Sequence, residues 1–282
     1  MKINKLGLST ILILSLCGAG CGQYGGGAGV VPEVSFIAAG GDAESTESAA
    51  EPAAELPTGS LRGKVTITGA PSLPLLIAKG SAVKDAEVCA AEDVPDERLV
   101  VGPGGAVANV FVYLPKAPKG AKPFTPPTEP FFFDQKTCRF LPHATIIPVS
   151  QTVKVLSNDA VAHNTHTFPN KNAGINSTVN PMDRDGLVSL VYSKSEATPV
   201  SVKCDFHAWM NAWHLPLDHG FGAVSDPNGE FTIADLPVGK HAFAVWHEAA
   251  NGGFVQRKLE VEIKAGETTD VSVDYPAALL KL

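Results

Sequence analysis

Apolar and polar positions alternate with a period of two in many short runs along the chain, the mark of half-buried strands. The first clear run is 61–69, Leu61-Arg62-Gly63-Lys64-Val65-Thr66-Ile67-Thr68-Gly69. The stretch 107–114 (VANVFVYL) predicts a second strand, and 144–149 and 152–156 predict two more. Further strands are expected at 187–192, 200–204, 221–224, 230–233, 241–246, 256–263 and 271–273. Residues 70–97 are mixed in pattern, and 115–130, with several Pro and Lys, read as a loop. The stretch 157–186, rich in Asn, Asp, Gly and Pro, also reads as loops. Asp226-Pro227-Asn228-Gly229 predicts a hairpin turn. No stretch carries a clear helical period, so the class is all-β.

Length and composition agree with this pattern. At 282 residues the chain can form one large domain or two smaller ones. Its 27 Gly and 22 Pro suit many short strands joined by turns, not a helical bundle. The 29 acidic residues outnumber the 22 basic ones, giving a net charge of −7. The basic footprint of a nucleic-acid partner is therefore missing.

The N-terminus reads as an export signal. Met1-Lys2-Ile3-Asn4-Lys5 is basic, and the apolar run from Gly7 to Leu16 is too short to stay in a bilayer as a spanning helix. Gly18-Ala19-Gly20-Cys21 resembles a bacterial lipoprotein cleavage box, although Gly18 stands where Leu is usual. The resemblance implies a signal peptide over 1–20 and a lipid on Cys21. Residues 21–58, rich in Gly, Ala, Ser, Glu and Pro, then read as a disordered tether. The expected location is the bacterial cell envelope, lipid-anchored in the periplasm, at the outer membrane or on the cell surface.

Export makes the cysteines informative. Of the five, Cys17 leaves with the signal and Cys21 takes the lipid. Cys89 and Cys138 are left to pair as a disulfide, and Cys204 remains as an odd thiol that needs a reason.

The reason lies in its neighbours. Cys204-Asp205-Phe206-His207-Ala208-Trp209-Met210 carries a thiol, an imidazole and a thioether at C-x2-H-x2-M spacing, on a loop leaving a strand. Upstream, His163 and Asn164 follow Asn158-Asp159 at the end of another expected strand. One Cys, two His and one Met form the donor set of a blue-copper site, with a weak axial thioether. Zinc would sooner draw on more Cys, His or carboxylate. A binuclear copper site would need a second Cys in the loop. His166 lies close to His163 but is expected to point elsewhere, and His143, His214 and His219 read as structural or surface groups. Trp209 and Trp213 either pack the core or form an apolar docking surface around an exposed edge of His207. No catalytic triad, paired-carboxylate motif, phosphate loop or dinucleotide fingerprint is present, so no enzyme is expected.

With Phe140, Pro142, Val149, Val153, Asn158, Asp159, His163 and Asn164 in order before the Cys204 loop, the region 130–220 resembles a cupredoxin, of the plastocyanin and amicyanin superfamily. The short His207-to-Met210 spacing is amicyanin-like. The resemblance implies a Greek-key β-sandwich holding one type-1 copper ion. His163, Cys204 and His207 would be the equatorial ligands and Met210 the axial one. It also implies that the backbone N–H of Asn164 bonds the Cys204 sulfur.

A second resemblance frames the first. Residues 222–241, with Val224, Asp226, Gly229, Phe231, Leu236, Pro237 and Gly239, look like carboxypeptidase-regulatory-like, transthyretin-like sandwiches. The G-x-V and A-x-V strands that open such domains have counterparts at Gly63-Lys64-Val65 and Ala108-Asn109-Val110. A smaller regulatory-like sandwich, in parts 59–120 and 221–282, would then be split by a cupredoxin domain over 121–220. The combination is similar to bacterial proteins called methylamine-utilisation proteins, from which no methylamine chemistry follows. The expected function is a membrane-tethered copper electron carrier with a redox partner protein. The alternatives are a copper chaperone or storage lipoprotein, and a surface interaction module with a structural copper site.

Overall fold

The computed structural model describes residues 56–282. The expected export signal, the expected acylation site Cys21 and all but the last residues of the expected tether lie outside the described residues. The described chain is almost entirely β. In chain order the first strands are β1 (Thr58–Ile67), β2 (Leu75–Ile77), β3 (Val94–Pro95) and β4 (Phe111–Tyr113). A single-turn helix, α1 (Ala86–Cys89), lies between β2 and β3. Then follow β5 (Phe131–Lys136), β6 (Arg139–Leu141), β7 (Ala144–Pro148), β8 (Thr152–Val155) and β9 (His163–Phe168). Next come β10 (Asn176–Val179), β11 (Val188–Val191), β12 (Val200–Lys203) and β13 (Asn211–Leu217). The chain closes with β14 (Gly222–Val224), β15 (Glu230–Pro237), β16 (Gly239–Trp246), β17 (Phe254–Ile263) and β18 (Thr268–Tyr275).

These strands build two sandwiches. The first stacks a three-stranded sheet, β15-β1-β18, on a four-stranded one, β14-β4-β16-β17. Alternation in β1 turns Leu61, Val65 and Ile67 inward against Phe231, Phe243, Val261 and Tyr275. Gly63 shares that inward face because the Phe231 ring lies where any Cβ would stand. The second stacks β10-β9-β12-β13-β7 on β11-β8-β5-β6. Phe133, Phe140, Val153 and Leu190 from one sheet meet Ile147, Val179, Val202 and Ala212 from the other.

The first sandwich is made from both ends of the described chain. β1 pairs antiparallel with β15 and parallel with β18, and β4 lies between β14 and β16. Tyr113 sits opposite Gly222, and the Leu114 N–H bonds the Phe221 carbonyl at 2.9 Å. The chain therefore leaves for the second sandwich and returns at neighbouring points. The sandwiches pack through Phe111, Tyr113 and Trp246 on one side and Trp213, Leu215 and Leu217 on the other. The Trp213 and Trp246 rings stand 4.7 Å apart.

Three sequence expectations change. Residues 157–186 contain β9 and β10 as well as loops. Their alternation is hidden because the inward positions of β9 are His163, Thr165 and Thr167, buried yet polar. β5, β6 and β13 were likewise not expected. The turn at Asp226 is present, with Gly229 N–H bonding Asp226 O at 2.8 Å and Gly229 at φ +74°. It is not a simple hairpin, because β14 and β15 on either side belong to different sheets.

Because the second sandwich leaves and rejoins at adjacent residues, replacing 116–219 by a short Asn-Gly turn should leave a foldable first sandwich. Cys89→Ser would be included to avoid an orphan thiol. The expected result is β-type circular dichroism with a cooperative melt; a broad, non-cooperative transition would refute it.

Candidate metal centre

β9 begins at His163, and the loop after β12 carries Cys204 and His207, so adjacent antiparallel strands bring the three side chains to one end of the sheet. All three are buried, with both histidine rings at 0% exposure. The loop closes on itself: Met210 N–H bonds His207 O at 2.9 Å, and Cys204 N–H bonds Met210 O at 3.2 Å. Met210 is buried in the same core cluster as Cys204.

The donor atoms converge. His163 Nδ1 and His207 Nδ1 are 3.0 Å apart, and Cys204 Sγ lies 4.0 Å and 3.8 Å from them. A triangle of those sides has a circumradius of about 2.1 Å, within the range of metal–nitrogen and metal–thiolate bonds. The far nitrogens are spoken for. His163 Nε2 meets Asp159 Oδ2 at 2.9 Å, and His207 Nε2 meets Asp85 Oδ2 at 2.8 Å. A carboxylate only accepts, so it fixes the proton on Nε2 and leaves Nδ1 with its lone pair. Two such lone pairs facing at 3.0 Å repel unless a cation or a shared proton lies between them. The donor set and its outer partners fit a resident copper ion, which His163, Cys204 and His207 would hold.

The electrostatics point the same way. Burial alone would raise the Cys204 thiol, but His163, His207 and the Asn164 N–H outweigh it and bring the pKa down to about 6. The thiolate, the ligating form, is thereby favoured. The Asn164 N–H to Cys204 Sγ distance is 3.5 Å. Burial works against a charged His163, yet Asp159 and the Cys204 sulfur raise its pKa overall. Asp159 is held below the usual carboxylate range despite burial, by His163 and by the N–H groups of Cys138 and Thr137.

Asp159 stood in the expected motif, but its hold on His163 was not foreseen. Asp85 was missed altogether. It lies in the patternless stretch 70–97, 122 residues from His207 in sequence, and no local signal could have found it. It holds a left-handed backbone at φ +54° just before α1. A disulfide joins Cys89, at the end of α1, to Cys138. Both sulfurs and a His207 ring nitrogen fall within 4.8 Å of one another, so the bridge forms a wall of the site.

The other histidines separate cleanly. His166 contacts Asp205 and Asn176 at the surface. His214 packs on Phe133 with ring centroids 4.4 Å apart, and burial drives its pKa down to about 3. His143 is buried beside Glu248 and Glu97. His219 Nδ1 accepts the Phe221 N–H. No exposed edge of His207 exists for a docking surface, because Asp85 and Trp209 cover it. Trp209 packs there and donates its indole N–H to Cys138 O at 3.2 Å.

Several solved structures align with parts of this chain. A purple cupredoxin from Nitrosopumilus maritimus aligns at 21% identity over 31% of this chain and 99% of that one, with a TM-score of 0.25. A variant of amicyanin in its reduced Cu(I) form aligns at 15% identity over 38% and 98%, with a TM-score of 0.27. The copper-containing nitrite reductase of Thermus scotoductus SA-01 aligns at 16% identity over 37% of this chain, with a TM-score of 0.28. The chain spans 25% of the reductase's length. No family model and no curated protein matches.

Asp159 holds the His163 ring and two backbone N–H groups beside the disulfide. Asp159→Asn should weaken metal binding about 10- to 100-fold, the usual effect of losing such an outer partner. Competition with a Cu(I) chelator measures it, and unchanged affinity would refute the role.

Proposed function

We propose that this chain is an electron carrier of the bacterial envelope, holding one type-1 copper ion through His163, Cys204, His207 and Met210. The observation that carries this reading is the buried triangle of two facing Nδ1 atoms and a thiolate. Copper supplies a one-electron couple between Cu(I) and Cu(II). The soft Cys204 thiolate and Met210 thioether favour Cu(I), and the imidazoles accept both states.

The chain's part is to hold that donor set still. Asp159 and Asp85 fix the two rings, the Asn164 N–H supports the sulfur, and the disulfide pins the Asp85 segment. No substrate is turned over. The split between a regulatory-like sandwich and a cupredoxin domain belongs to the same proposal, as does membrane attachment through an acylated Cys21.

Copper delivery is the second reading, and one observation favours it. A cleft of about 260 Å³ borders the loop on the Met210 side, lined by Trp209, Cys138, Arg139 and Lys203 among others. A reversible potential with intense visible absorption supports the carrier, and loss of copper on oxidation supports delivery.

Met210→Gln should keep copper and the blue colour while lowering the potential, because a harder oxygen donor favours Cu(II). Cys204→Ser should abolish the intense charge-transfer band. Optical and EPR spectra with voltammetry check both, and an unaltered spectrum and potential in Met210→Gln would remove Met210 from the site. For the anchor, Cys21→Ser should move the protein from the membrane fraction to the soluble one, since lipoprotein anchoring needs its acyl chains. Recovery of the unaltered protein as a soluble species would overturn that assignment.

A further inference from the structure

The Cys89–Cys138 bridge lies against the ligand loop. Both sulfurs and a His207 ring nitrogen fall within 4.8 Å of one another. As a disulfide the two sulfurs are weak donors. As a dithiol they are two thiols beside an imidazole, each able to become a thiolate ligand. The two Cα atoms are 5.1 Å apart. A metal–thiolate bond is about 2.3 Å long, so sulfurs up to about 4.6 Å apart can share one ion. Cysteines at this Cα spacing reach that separation by rotation of their side chains alone.

The surroundings keep the pair in place when the bridge opens. Cys138 stands in the turn between β5 and β6, where its N–H bonds Asp159 Oδ2 at 2.8 Å and its carbonyl accepts the Trp209 indole N–H at 3.2 Å. Cys89 ends α1, and its N–H bonds the Asp85 carbonyl at 2.9 Å. Cys138 also lines the cleft of about 260 Å³ beside Trp209 and Met210, which gives a small ion an approach.

The donor types select the metal. Two thiolates and one imidazole suit Cu(I), which is satisfied by two or three soft donors. Zinc would call for a fourth. The neighbouring carboxylates are already engaged, Asp85 on His207 and Asp159 on His163 and the N–H groups of Thr137 and Cys138.

We infer that Cys89 and Cys138, when reduced, form with the His207 ring a second site for Cu(I). A dithiol reductant opens it by passing two electrons and two protons to the bridge, becoming a disulfide itself. Cu(I) then displaces the two thiol protons and keeps its oxidation state. His207 belongs to both donor groups, so an ion on the pair stands one ligand exchange away from Cys204 and His163. The inference does not depend on the electron-carrier reading.

The test uses the full chain carrying Cys17→Ser, Cys21→Ser and Cys204→Ser, so that Cys89 and Cys138 are its only cysteines. The metal-free protein is left oxidised or is reduced with a water-soluble phosphine, which becomes its oxide. It is then desalted without oxygen and titrated with Cu(I) against bicinchoninate. The reduced form should hold one Cu(I) per chain, at least about tenfold more tightly than the oxidised form. Equal affinities, or loss of the β-type circular dichroism on reduction, overturn the inference. Adding Cys89→Ser should abolish the gain; a gain that survives overturns it as well. His207→Ala should weaken the reduced site at least about tenfold, the least that losing even an outer partner costs. X-ray absorption at the copper edge should find sulfur and imidazole nitrogen together around the ion, and sulfur alone would reduce the pair to an ordinary dithiol and refute the site. The carrier reading is tested separately, by the blue band and potential of the chain with Cys204 intact. Their absence leaves this result standing.

Discussion

Two imidazole nitrogens facing each other across 3.0 Å are the constraint around which the site is arranged. Left alone, two neutral rings would turn apart or share a proton. Here each is held from behind by a carboxylate, so their lone pairs stay aimed at the space beside Cys204. The carboxylates are held in turn. Asp159 takes the N–H groups of Thr137 and Cys138, both in left-handed backbone at φ +53° and +51°. Asp85 precedes the short helix that the disulfide ties to the same turn. One local knot therefore joins both ligand partners to the bridge.

That knot also fastens a segment of the first half of the chain to the second sandwich. The stretch carrying Asp85 belongs by sequence to the part that builds the first sandwich, yet it closes the metal end of the second. Ile77, Ala90 and Val94 form a small core with Trp209 of the metal loop packed against it. On the opposite flank the Trp213–Trp246 contact and the buried His143 beside Glu248 fasten the two sandwiches together. The site thus draws on distant parts of the chain: the three converging donor atoms come from the second sandwich and one outer partner, Asp85, from the segment between β1 and β4.

Closing the His207 edge has a chemical consequence. A carboxylate held against a ligand's outer nitrogen raises that ligand's basicity. The surrounding apolar residues and the disulfide keep water from the rings.

The sequence by itself determined the all-β class through period-two alternation, and through the C-x2-H-x2-M loop and the His163 phrase it singled out His163, Cys204 and His207, which the structure brings together. Both signals are local, residue types at fixed spacing, and neither needs knowledge of the rest of the chain. The cysteine count pointed to Cys89 and Cys138, which the structure joins. Only the tertiary structure revealed β9 and β10, because buried polar side chains such as His163, Thr165 and Thr167 erase the alternation that marks a strand. Only the tertiary structure placed Asp85 on His207, since a contact across 122 residues leaves no trace in spacing. It likewise decided that the His207 edge is covered and that the Asp226 turn sends its two strands to different sheets. Such choices are made by packing between distant segments, and the order of residues along one segment does not contain them.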